Sequence, residues 1–274
     1  MASTNHHDPA ADNVRRNIVK RSSLEEANRD YYQTLTHESN FVGSSSPSGR
    51  PYPFFVPSTV KSTLGSPTAL AIGAFATTLT TLSFSLMGWR GVDVTNVFIG
   101  NFFFVAGLGM VISAQWELVL GNSFGYTALS AFGFFYAGFG AILTPLFGVT
   151  AAYPTDSVEY NNALGFWVLM WAVLNIFFTL GSMAINLVYF GIFFFVELAF
   201  ALIAASYFAA ADGKTAAADA LKKSGGVFAF LAGLLGYYTV AHLMCQTSLF
   251  YSFPMGDTSR FFVKKRRNSG EKDV

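Results

Sequence analysis

Three ionisable side chains stand inside long apolar stretches of this sequence: Glu117, Glu197 and His242. A carboxylate at mid-membrane depth costs about 2.5–3.5 kcal/mol on insertion scales, so an acid retained there invites a reason. Glu197 falls in the middle of the fifth apolar segment, and His242 about three residues past the middle of the sixth. No Lys or Arg stands at their depth in any segment. The two could relay protons, or they could form a structural hydrogen bond. Glu117 lies at the end of the second segment, where its depth suits an interfacial anchor. No phosphate loop, no His/Cys/Asp metal spacing and no nucleophile–base–acid set occurs outside the apolar stretches. Gly107-Leu108-Gly109 lies within one of them, so it is no dinucleotide turn. The expectation is a non-enzyme without cofactor or metal. The single cysteine, Cys245, cannot form an intramolecular disulfide, and its apolar setting predicts a buried, inert thiol.

The elements that must position these groups follow from composition. Of 274 residues, 52% are hydrophobic and 12% charged, whereas soluble domains carry about 25% charged residues. So apolar a chain is cheapest to solvate in a bilayer. Residues 1–66 are polar, rich in Ser, Asn and Pro, and lack periodicity, the signature of a disordered tail. No apolar stretch lies near Met1, so no cleaved signal peptide is expected. Six apolar segments follow, each near the ~20 residues that cross hydrocarbon: about 67–88, 94–118, 124–147, two halves of 163–211, and 227–253. The run 163–211 is too long for one span, and Gly181-Ser182 with Asn186 supply its only turn chemistry. The fold class is therefore all-α, a polytopic six-helix domain over 67–253, with a polar loop at 212–226 and a basic tail at 254–274.

Seven Lys/Arg precede the first span and six follow the last, against four in the odd-numbered loops (Arg90, Lys214, Lys222, Lys223). This bias places both termini in the cytoplasm. The cluster Lys264-Lys265-Arg266-Arg267 serves as a topology signal and could also bind anionic membrane lipid. A net charge of +1, borne almost wholly outside the spans, gives no reason to expect nucleic acid. Gly73, Thr77, Thr81 and Ser85 form one stripe at spacings of four, suited to helix packing, with a wet pore wall as the alternative. Asn101, Gln115, Asn175 and Gln246 suit interhelical hydrogen bonds.

The stretch Trp116-Glu117-Leu118-Val119-Leu120-Gly121-Asn122-Ser123-Phe124-Gly125 resembles the W-E-x-x-x-G-N-T-F-G signature of fungal acetate transporters, the family named for GPR, FUN and YaaH proteins. Ser123 replaces its Thr and keeps the hydroxyl. Gly133-Phe134-Phe135-Tyr136, Tyr237 and Phe253-Pro254-Met255-Gly256 extend the likeness, which covers Leu64 to Gly256. The family's N-P-A-P-L-G motif reads Ser66-Pro67-Thr68-Ala69-Leu70-Ala71 here, keeping Pro67 and Leu70 and losing the Asn, the second Pro and the Gly.

The resemblance implies a hexamer in which each protomer has its own pore, narrowed at Phe75, Phe132 and Val196. Phe132 stands where relatives often carry Tyr, and Glu197 where they commonly carry a neutral residue. It implies a structural hydrogen bond between Glu117 and the Gly-Asn-Ser turn. It also implies transport of acetate or another small monocarboxylate across the cell membrane, by proton symport or channel-like permeation. The alternative is a divergent, non-transporting member that senses carboxylate or regulates through its tails.

Overall fold

A chain that crosses hydrocarbon must pair its own backbone N–H and C=O groups, which makes each apolar segment a helix. The computed structural model describes residues 65–154, 157–245 and 253–262. Among them, six helices are long and apolar enough to span a bilayer: α1 (Thr68–Leu86), α2 (Asn96–Val119), α3 (Ser123–Leu143), α4 (Val158–Ser182), α5 (Leu187–Ala211) and α6 (Thr215–Cys245). A short α7 (Ser259–Phe262) follows. The described residues contain no strand, only an isolated bridge between Asn186 and Asp257. The tail over 1–64, Gln246 and the cluster Lys264–Arg267 lie outside the described residues. Within α2, the backbone widens to a π-helix over Asn101–Leu108 before tightening to α at Gly109.

The helices close a ring in chain order, with α6 returning to α1. The α1–α6 seam is tight because small residues let backbones approach. A methyl group on Gly233 would stand 2.4 Å from Thr80 Cγ2, and one on Gly236 3.0 Å from Ala76 Cβ. Gly73 faces Val240, and the Tyr237 hydroxyl donates to Thr77 Oγ1 at 3.3 Å. The upper part of the small-residue stripe is thus a packing surface. The α3–α4 seam is built differently, from the rings of Phe135 and Phe139 against Trp167 and Trp171.

Two boundaries differ from expectation. The sixth helix begins at Thr215, not near 227, and the preceding turn is only Asp212–Lys214. Hydropathy marks the membrane slab, whereas Ala, Leu and Lys after Thr215 carry helix propensity beyond it. Asp219 and Lys223 pair across one helical turn there, at 2.7 Å. The second concerns residues 253–262, where the sequence reading places the end of the sixth segment and the start of a basic tail. They fold back as a strap onto the α4–α5 turn: Leu187 N–H donates to the Gly256 carbonyl at 2.8 Å, and Val188 N–H to that of Met255 at 3.3 Å. The Thr258 hydroxyl donates to the Met183 carbonyl at 2.7 Å, and the Tyr238 hydroxyl to that of Pro254 at 2.8 Å. The strap's carbonyls satisfy donors that the first turn of α5 cannot satisfy itself. Cys245, at the end of α6, is half-buried instead of buried.

Candidate functional site

The centre of the ring is apolar and aromatic. Phe75 on α1 meets Phe132 on α3 edge-to-face, with centroids 5.9 Å apart. Phe132 lies parallel to Phe200 at 6.3 Å, and tilted against Phe178 and Phe193 at 6.1 Å each. Val196 joins Phe75 and Phe132 in lining one internal cavity of about 50 Å³. The structure therefore brings these three residues together, all of them buried. Phe193, Phe200, Ile203 and Tyr207 were not singled out from sequence. They fall at helical spacing from Val196 along α5, so the period of 3.6 marks the same inward face. Phe124, Phe178 and Phe193 form a second aromatic layer beside Phe132, with Phe124 edge-on to Phe193 at 5.7 Å and to Phe178 at 6.4 Å.

Below that layer the signature motif forms one hydrogen-bonded unit. Glu117 is 3% exposed. Its Oε2 accepts from Asn122 Nδ2 at 2.7 Å, and its Oε1 accepts from the Thr68 hydroxyl of α1. Asn122 also caps α3, its Oδ1 accepting from Gly125 N–H at 3.0 Å. Gly121 takes a φ of 78°, which turns α2 sharply into α3. A methyl group at Gly125 would collide with Asn122 Nδ2 at 2.5 Å. Trp116 stays half-exposed beside the buried acid. Glu117, Gly121, Asn122 and Gly125 thus each have a steric or hydrogen-bonding cause. Thr68, within the altered first-helix motif, went unnoticed in sequence although its hydroxyl ties α1 to this unit.

The other motif residues lie apart from this aromatic cluster. Ser66 and Pro67 border an open depression with Trp116 and Leu120, and Leu70 is exposed. Glu197 Oε2 accepts from Asn175 Nδ2 at 2.9 Å, and the same amide donates to the Phe193 carbonyl at 2.9 Å. Asn175, 1% exposed, thereby joins α4 to α5. Gln115 instead donates only to the Val111 carbonyl of its own helix.

His242 does not meet Glu197. Its Nδ1 pairs with the Phe253 carbonyl at 2.6 Å. Phe195 stacks on Phe228 at 6.2 Å, which sets Glu197 near the level of Phe228. His242 lies fourteen residues further along α6, or about 20 Å at 1.5 Å per residue. The expected pairing fails because α6 starts twelve residues early: His242 occupies its last turn, not its middle.

A family model described as GPR1/FUN34/yaaH family matches residues 49–257. The acetate transporter protein patA of Aspergillus clavatus is 55% identical over 205 residues, 75% of this chain and 83% of that protein. The patA protein of Penicillium expansum is 52% identical over 204 residues, 74% of this chain and 82% of its own length. Among solved structures, that of the bacterial acetate channel SatP superposes with a TM-score of 0.58 at 25% identity, covering 70% of this chain and 99% of that one. Signature unit, six-helix ring and relatives agree: the chain is a membrane protein that belongs to the GPR1/FUN34/yaaH family.

Proposed function

We propose that this protein carries acetate, or a monocarboxylate of similar size, across the cell membrane through the centre of each six-helix ring. The observation that carries the reading is the buried apolar cluster of Phe75, Phe132 and Val196 around one internal cavity, read here as the neck of the path. A constriction without charge or fixed carbonyl ligands rejects hydrated ions and passes small solutes that shed their water. A short carboxylic acid, with or without its proton, has the right size and an apolar end. The relatives named for acetate transport and the acetate channel support the substrate class.

On this reading both termini are cytoplasmic, as the Lys/Arg bias favours, and the protomers assemble into a hexamer. The altered first-helix motif is compatible with transport, because Thr68 still fastens α1 to the Glu117 unit.

The test is uptake of labelled acetate, with and without a proton gradient, in cells expressing the chain against an empty control. Uptake above control is expected, and Phe132→Ala should admit larger monocarboxylates. Uptake equal to control at verified surface expression would sink the reading.

A further inference from the structure

Among the described residues, five buried side-chain oxygens have no hydrogen-bond partner: Thr78 Oγ1, Ser85 Oγ, Ser113 Oγ, Ser130 Oγ and Asn175 Oδ1. Four of these are hydroxyls inside helices, and a turn about χ1 can bring such an O–H onto the carbonyl one turn back. Thr80 and Ser83 do this on α1, donating to the Ala76 and Leu79 carbonyls at 2.7 and 2.6 Å. Asn175 has no such freedom. Its Nδ2 donates to the Phe193 carbonyl and to Glu197 Oε2, each at 2.9 Å. A carbonyl only accepts, so the Phe193 contact fixes which end of the amide is nitrogen. Oδ1 is therefore an acceptor held in place, on a side chain that is 1% exposed, and without a donor. Buried acceptors of this kind ordinarily find one.

The neighbours leave one side chain that can supply it. The Thr179 hydroxyl, one turn along α4, donates instead to the Asn175 main-chain carbonyl at 2.9 Å. Glu197 already touches the same amide. As a carboxylate it can only accept; as a carboxylic acid it has one O–H to give. An acid and a primary amide match atom for atom, N–H to one carboxyl oxygen and O–H from the other back to the amide oxygen. The surroundings favour the acid, because an ion at mid-span is costly without a counter-ion. Among the described residues, no Lys, Arg or His pairs with Glu197. The other titratable side chains of α4 and α5 are Glu159, Tyr160, Tyr189 and Tyr207. Each stands at least about 12 Å along its helix from Asn175 or Glu197, at 1.5 Å per residue. On α6, Lys223 pairs with Asp219 beside Lys222, Tyr237 and Tyr238 bond to Thr77 and Pro254, and His242 bonds to Phe253.

We propose that Glu197 is a neutral carboxylic acid paired with Asn175, its O–H donating to Oδ1 while its Oε2 accepts from Nδ2. The pair is a proton-binding site at the α4–α5 seam. Removing the proton orphans Oδ1 and sets a negative charge beside it. The site adjoins the central aromatic cluster, since the same amide holds the Phe193 carbonyl and the Phe193 ring lies 6.1 Å from that of Phe132. It stands apart from the transport reading and is tested without a substrate. An ordered water donating to Oδ1 is the competing occupant, and the two cases differ in whether the Asn175 amide responds to the Glu197 proton.

The experiment records infrared spectra of the purified full-length chain with its glutamate carboxyls, and separately its asparagine amides, labelled with carbon-13. At neutral pH the parent should show the C=O band of a protonated glutamic acid, and Glu197→Gln should lose it. Gln keeps both contacts, its amide donating to Oδ1 and accepting from Nδ2, so the fold is retained, and thermal melting verifies this. Asn175→Ala should shift the acid band or abolish it. A second measurement needs no Asn175 variant. As pH is raised, the acid band should give way to a carboxylate band while a labelled asparagine band shifts with it, and Glu197→Gln should show neither change. Loss of a carboxylate band in Glu197→Gln, with no acid band in the parent, would overturn the proposal. So would an acid band untouched by Asn175→Ala, or an asparagine band indifferent to the titration, either of which would leave water as the donor to Oδ1.

Discussion

Glu117 and Glu197 are both carboxylates inside the helical ring, yet they are held in different ways. Glu117 is buried, and each of its oxygens accepts from a different element, α1 through Thr68 and the α2–α3 turn through Asn122. Glu197 is half-buried and is held through one oxygen by Asn175. The first acid organises three helix ends, while the second accepts from a link between two neighbouring helices that Asn175 also maintains without it, through the Phe193 carbonyl. A polar group woven into a motif is part of the fold; one attached at a single point is open to substitution. The location of an acid in a span therefore says less about its role than the number of elements it holds.

Substitutions can break that contrast. The largest effect should come from Glu117→Leu, which strands the Thr68 hydroxyl and the Asn122 amide in apolar surroundings at a cost of about 3 kcal/mol or more. Its measure is the loss of folded, monodisperse protein in detergent; a parental melting temperature would refute the organising role. Asn175→Ala should be milder, about 1–2 kcal/mol, because it removes the α4–α5 bridge while the rest of the seam remains. It is read as a lowered melting temperature with normal assembly. The smallest effect belongs to Glu197→Gln, whose amide oxygen still accepts from Asn175. Combined with His242→Gln, its effects on stability and on gradient-driven uptake should add within about 0.5 kcal/mol. A strong coupling between them would mean that a proton path joins two groups that the structure holds apart.

The span count was legible in sequence because hydrocarbon imposes length and apolarity, and the meeting of Phe75, Phe132 and Val196 around one cavity was anticipated only through the family resemblance. The start of α6 was not legible. Thr215–Gly226 is polar enough to read as a loop, and only helix propensity, which hydropathy ignores, carries it. That one misplacement moved His242 to mid-span and created the apparent partnership with Glu197. The strap was hidden for another reason. Its grip on α5 runs through the backbone carbonyls of Met255 and Gly256, which leave no side-chain signature. Thr68 was visible as a residue but not as a partner of Glu117, since rotation about a helix axis is not written in spacing alone.

The strap has a consequence for biogenesis. A ribosome delivers α5 to the membrane well before the strap, because Leu187 and Gly256 are separated by about seventy residues of chain. Until those residues emerge, the first N–H groups of α5 lack the carbonyls that will cap them, and the α4–α5 turn lacks its cover. The strap thus completes an element inserted one helix earlier, and a nascent chain halted after α6 but before Met255 lacks the carbonyls that cap that turn. Completion of the α4–α5 turn therefore waits on the segment that follows α6.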